Sequence, residues 1–160
     1  GNAPMSVACV PTPVATPVAG PKIRECQRVL VAVDLMEPQG FTTSHAYAIV
    51  QPGGTVRLMS NLVPGRRPNP VLGAAEAEER LRALTPDGAE ARGILTEVEV
   101  TENPETAAAI CAAAERFGAD VICVGNHTRP GLTAKVLGSV SLGVLGSSRR
   151  PVLVVWPPTE

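Results

Sequence analysis

Three unbroken apolar runs constrain this chain more than any other feature: RVLVAV (Arg28–Val33), DVICVG (Asp120–Gly125) and PVLVVW (Pro151–Trp156). A strand with one wet face alternates apolar and polar residues. A short run without alternation, bounded by turn residues, is the pattern of a strand buried on both faces. Such strands belong to sheets covered by helices on either side, so the intervening segments must supply helices.

They have the patterns to do so. Pro38 to Val50 sets Phe41, His45, Ala48 and Ile49 at helical spacing, and Pro52-Gly53-Gly54 stops the segment. His45 falls on that stripe and reads as a packing residue. TVRLMSNLV (Thr55–Val63) is a second strand. Gly73 to Leu84 aligns Ala74, Ala77, Leu81 and Leu84 on one helical face, with its charges mostly off that face. ILTEVEV (Ile94–Val100) alternates, as a strand with one wetter face does. Asn103 suits the cap of a helix beginning at Pro104, with Ala107, Ile110, Ala114 and Phe117 as its buried stripe and Gly118 as its left-handed stop. A last helix is expected from Ser139 to Ser148. The result is an α/β chain, a five-stranded parallel sheet with four intervening helices on both faces.

Residues 1–25 differ in composition. Pro4, Pro11, Pro13, Pro17 and Pro21 punctuate a stretch poor in charge, which reads as an extended linker. SVACV (Ser6–Val10) has room for one short strand. The folded domain is expected over residues 26–157 of the 160.

Charge and cysteine usage narrow the function. Lys plus Arg is 14 and Asp plus Glu is 15, a net charge of −1, without the basic excess of a nucleic-acid binder. One Trp, one Tyr and two Phe leave few platforms for stacking bases. The four cysteines match no zinc spacing, and Cys111 and Cys123 sit in apolar runs, where a thiol behaves as a small hydrophobe. No run of about 18 apolar residues implies a membrane span. The expectation is a reduced, cytoplasmic protein.

The chemistry concentrates in VGNHTRPGLTAKVLGSVS (Val124–Ser141), which leaves a strand and enters a helix. The first N–H groups of a helix lack partners and its dipole favours an anion, so such a loop can hold phosphate. Gly125, Gly131, Gly138 and the Ser139 hydroxyl suit this. A turn whose glycines only ease the chain fits the spacing as well. No G-x-x-x-x-G-K-[ST] is present, nor G-x-G-x-x-G after the first strand. Asp34, at the end of RVLVAV, lies where ligands of parallel sheets bind, beyond the carboxyl ends of strands.

VLVAVD, GADVICVGNHT, GLTAKVLGSVSLGVL and RPVLVV together resemble the universal stress protein family over roughly Arg28 to Val155. The resemblance implies a Rossmann-like, adenine-nucleotide-binding fold of the HUP type and a regulatory, stress-response role with little or no turnover. Nucleotide-binding members share G-x2-G-x9-G-[ST]. Gly125 matches the first glycine, and Gly138 and Ser139 match the final pair. By that resemblance, Asp34 would bond the adenosine part of ATP or AMP, bound with or without Mg2+. Backbone near Ala32, Val33, Asn61 and Val124 would border the adenine. Gly138, Ser139 and Val140 would hold phosphates.

Thr128 stands where the pattern has glycine. A β-branched residue suits neither positive φ nor close approach of ribose and phosphate, a cost of about 1–3 kcal/mol, or roughly ten- to a hundredfold in affinity. The TRPG stretch offers another route: Gly131 takes the glycine's role, and the Thr128 hydroxyl donates to a phosphate. Arg129 and Lys135 are the nearest cations, and Pro130 holds Arg129 extended. Exposed surface explains these two cations and His127 equally well. The alternative function is a family member that has lost its nucleotide site and serves as a dimeric interaction scaffold.

No Ser–His–acid set and no metal cluster is visible, so no catalytic residues are assigned. Gly143 and Gly146 each cost a helix interior about 1 kcal/mol relative to alanine, and a close packing partner accounts for them, a second subunit being one candidate. Val152, Leu153, Val154 and Val155 form a strand expected at the sheet edge. An apolar edge needs cover, and the family resemblance implies a homodimer meeting there. No nucleic-acid or membrane partner is expected.

Overall fold

The computed structural model describes residues 7–9, 26–35, 40–65, 73–126 and 137–156. The expected strands are present as β2 (Arg28–Ala32), β3 (Thr55–Leu62), β4 (Leu95–Glu102), β5 (Val121–Gly125) and β6 (Val152–Val155). Each is parallel to its neighbours among these five. A sixth, β1 (Val7–Cys9), runs antiparallel to β6, and the order across the sheet is β1-β6-β5-β2-β3-β4.

Successive side chains of a strand point to opposite faces, so each unbroken apolar run feeds two cores. Val29, Val31 and Cys123 pack beneath α1 (Phe41–Ile49) and α2 (Ala74–Arg82). Leu30, Ile122, Val124 and Val154 pack beneath α3 (Thr106–Phe117) and α4 (Ser139–Ser147). The second face gives way to a polar layer at β4, which explains the alternation in that strand. There Arg57 pairs with Glu97 at 2.6 Å, Arg116 pairs with Glu99, and the Arg57 guanidinium lies 4.4 Å from the centre of the Phe117 ring.

Four local expectations are corrected. The strand Val152–Val155 is not the sheet edge, because Val7, Ala8 and Cys9 pair with Val154, Leu153 and Val152. The buried face of α1 is Thr42, Thr43, Ala46 and Tyr47, not Phe41, His45, Ala48 and Ile49. The stripe is turned by one residue: Tyr47, the largest side chain on the inward side, inserts to reach the Thr96 hydroxyl, and Thr42 and Thr43 are buried with it. His45 is half-buried instead, its Nδ1 2.8 Å from the Phe41 carbonyl. Helix α3 begins at Thr106 rather than Pro104. The Asn103 N–H still donates to the Leu62 carbonyl at 3.1 Å, so the chain has not yet left the sheet, and the Asn103 side chain accepts from the Glu105 N–H in a turn. Ala74 is exposed, leaving Ala77 and Leu81 as the buried residues of α2.

The packing partner of Gly143 is α3 of the same chain. A Cβ at Gly143 would sit 2.7 Å from the Cβ of Ala107, so glycine lets the two helices close on each other. Gly146 has no such neighbour within 4 Å among the described residues. Gly118 closes α3 at φ 70°, the left-handed stop its position suggests.

Candidate functional site

The strand order places a switch point between β2 and β5. From β2 the chain builds outward through β3 and β4, then returns to β5 and builds the other way through β6. The helices that follow β2 and β5 lie on opposite faces, so a crevice opens beyond the carboxyl ends of these two strands. Ala32 is in register with Val124, on neighbouring strands about 4.8 Å apart. Val33 and Asp34 leave one strand end, and Gly125 and Asn126 leave the other.

The β2 side is tied into the sheet. The Val33 N–H donates to the Met59 carbonyl at 2.8 Å, which carries the ladder past Ala32, and Ala32 and Val33 are half-buried. Asp34 follows and is exposed. On the β5 side Val124 is buried, and Gly125 is in register with Val155. Asn61, at the end of β3, spends its side chain on structure. Its Nδ2 donates to the Asn103 carbonyl at 2.9 Å and to the Thr106 hydroxyl at 3.0 Å, and its Oδ1 accepts from Thr101 at 2.9 Å. With its side chain so engaged, Asn61 has its backbone alone to offer at the strand ends.

Helix α4 supplies the other wall. Gly138 is its N-cap, with φ −68° and ψ 162°, and no side chain of the cap bonds the first turn. The Leu142 N–H donates to the Gly138 carbonyl at 2.9 Å, so the helical ladder starts there. The earlier N–H groups have no acceptor within the helix. Gly138, Ser139 and Val140 are all exposed. The Gly138 N–H is already engaged, donating to Asn126 Oδ1 at 2.7 Å. Of the four N–H groups ahead of Leu142, those of Ser139, Val140 and Ser141 are left; Ser139 and Val140, with the Ser139 hydroxyl, are the exposed donors an anion can reach, whereas Ser141 is buried. Thr128, Arg129 and Gly131, with His127 and Lys135, lie outside the described residues.

Asn126 was not singled out by the sequence reading. An asparagine is usually noticed beside the helix it caps. This one acts on a helix twelve positions away, a distance no local pattern covers.

Other parts of the described structure offer less chemistry. An open cleft of about 570 Å³ at the β4 edge is lined by Arg57, Arg82, Thr85, Thr96, Glu97 and Val98. Its cations already have carboxylate partners, Arg57 with Glu97 and Arg82 with Glu78. Burial pushes the Cys123 thiol up to about 12, and Cys26 and Cys111 are also raised by burial, so these thiols are held neutral. Among the described residues no group of three or more His, Cys, Asp or Glu is placed to hold a metal ion, and no helix is long and apolar enough to cross a membrane.

Five parallel strands, helices on both faces and an open helix start at the switch point define a Rossmann-like α/β protein. The sequence profile of the universal stress protein family matches residues 25–155, and the chain belongs to that family. Solved structures show the same fold. The hypothetical protein MJ0577 is 22% identical, with a TM-score of 0.69 over 85% of this chain and 99% of its own. A universal stress protein from Archaeoglobus fulgidus is 20% identical, with a TM-score of 0.65 over 81% of this chain and 98% of its own. A universal stress protein in complex with cAMP is 22% identical, with a TM-score of 0.60 over 82% of this chain and 98% of its own. No curated protein sequence matches the chain.

Proposed function

We propose that the protein is a regulatory domain that binds an adenine nucleotide, ATP or AMP, with or without Mg2+, and turns it over slowly or not at all. One observation carries this reading: the exposed start of α4, with the N–H groups of Ser139 and Val140 unbonded within the helix, follows β5 at the switch point of the sheet. Gly138 adds support. Its φ of −68° suits any residue, and among the described residues a Cβ there would meet nothing nearer than Asn126 Oδ1 at 3.5 Å. The backbone conformation does not call for glycine at this position, whereas a ligand approaching the backbone benefits from it. The likeness to a universal stress protein that holds cAMP points to the same class of ligand.

In this reading the backbone of Ala32, Val33, Asn61 and Val124 borders the base. The Asp34 carboxylate accepts hydrogen bonds from the ribose hydroxyls. The Ser139 and Val140 N–H groups and the Ser139 hydroxyl donate to phosphate, favoured by the dipole of α4. Gly125, Thr128, Arg129 and Gly131 belong to the loop that completes the cradle. Calorimetric titration with MgATP and with AMP tests this on the unaltered protein, Thr128→Gly and Asp34→Ala. Micromolar binding that weakens in Asp34→Ala supports the site. Binding by Thr128→Gly alone favours the second reading, a dimeric scaffold whose cradle is blocked by Thr128. Silence from all three refutes both nucleotide binding and a merely blocked cradle.

For assembly we propose a homodimer through Val152–Val155 of β6, the partner taking the place of β1. Among the described residues, the three of β1 cover that strand, a small barrier to exchange for a second copy. Leu142, on the neighbouring α4, is 53% exposed and offers apolar surface to the same partner.

A further inference from the structure

We propose that Asn126 is a positioning residue: it latches the two ends of the 127–137 segment and sets the start of α4 for the phosphate of its ligand. The inference rests on the nucleotide reading above and names a residue which that reading does not use.

Asn126 is 1% exposed, the most deeply buried of the polar residues in the described core. Its backbone is tied to the sheet, its N–H donating to the Val155 carbonyl at 2.8 Å. Its side chain reaches the other way and takes the Gly138 N–H at 2.7 Å. One residue thus joins the end of β5, the end of β6 and the start of α4. Because Gly138 has no side chain, α4 lacks a cap from its own N-cap residue, and Asn126 supplies an acceptor from a distance. An acceptor buried this deeply is costly to leave unpaired, so the bond resists opening.

The choice of an amide has a chemical consequence. An aspartate would accept the Gly138 N–H at least as well and would favour the helix dipole. It would also bring a negative charge to the place where phosphate is to sit. Asparagine gives the same hydrogen bond without that charge. The latch withdraws the Gly138 N–H from the ligand and leaves Ser139 and Val140 as donors in a fixed geometry. Pre-organised donors bind an anion without first being ordered.

Two variants separate these roles. Amide hydrogen exchange at Gly138, without nucleotide, reads the latch. Titration with ATP and with adenosine reads the site. In Asn126→Ala the Gly138 amide is expected to exchange at least about tenfold faster, with ATP affinity about tenfold lower. In Asn126→Asp the amide is expected to stay protected, while ATP weakens about tenfold or more and adenosine is unchanged. A merely structural asparagine would not divide ATP from adenosine. Unchanged Gly138 exchange in Asn126→Ala overturns the latch. A lost latch with unchanged ATP affinity overturns positioning, as does equal weakening of ATP and adenosine in Asn126→Asp. If the unaltered protein does not bind ATP, the nucleotide reading fails and the positioning role with it, while Gly138 exchange still decides whether the latch exists. If Asn126→Ala does not fold, protection of the Gly138 amide in the unaltered protein decides the latch, an unprotected amide overturning it, and the near-isosteric Asn126→Asp decides the positioning role.

Discussion

Replacing Gly143 by alanine is expected to destabilise the protein, although alanine is the better helix former. In an exposed helix interior the change would gain about 1 kcal/mol. At Gly143 the new Cβ would lie 2.7 Å from the Cβ of Ala107. Carbon atoms rest at about 3.5–4.0 Å, so α3 and α4 would have to part by about 1 Å. Ala107 has no side-chain torsion that can swing its Cβ aside, so the strain falls on the helix backbones. Overpacking of this kind costs about 1–3 kcal/mol, which leaves a net loss between roughly zero and 2 kcal/mol. Gly146→Ala is the matched control on the same helix. None of the described residues stands within 4 Å of its Cβ, so it should gain up to about 1 kcal/mol, reduced by its place in the last turn. Urea denaturation, with a common slope confirmed across the variants, measures both. Adding Ala107→Gly to Gly143→Ala should recover part of the loss beyond additivity, since the two residues share one contact. If Gly143→Ala and Gly146→Ala stabilise equally, the close seat of α4 on α3 is refuted. That seat matters to the site, because α4 carries Gly138 and Ser139.

Two further outcomes follow from the same structure. The Cys123 thiol ionises at about 12 in the folded protein against an ordinary value of 9.0. Stability should therefore be insensitive to this group below about pH 9 and fall between about 9 and 12, by at most about 1.4 kcal/mol per pH unit, with Cys123→Ala flattening the decline in alkaline denaturation. Removal of residues 1–10 should raise the dimer fraction in analytical ultracentrifugation by freeing the β6 edge, and equal fractions with and without the segment would overturn dimerisation through Val152–Val155.

Legibility in the sequence followed the range of the interactions involved. The apolar runs at β2, β5 and β6 announced buried parallel strands because burial on two faces leaves no room for alternation. Gly118 announced its turn because a left-handed residue is a local event. The loop from Gly125 to Ser139 could be recognised as a strand-to-helix junction, which located one wall of the candidate site. The rotated face of α1 was not legible. Phe41 and Ile49 look more apolar than Thr42 and Thr43, and the inward Tyr47 meets Thr96, 49 positions away.

By itself, then, the sequence determined the class of fold, the alternation of strand and helix, and the segment where an anion could be held. Each of these follows from periodicity or backbone preference within a few residues. Tertiary structure decided the strand order, the cover of β6 by β1, the closure of Gly143 on Ala107 and the bond from Asn126 to Gly138. These depend on which distant residues meet. Val7 and Val154 are paired across nearly the whole chain, and no local pattern encodes such a partner. A parallel sheet is built from long connections, so the residues that shape its site come together only once the sheet has closed.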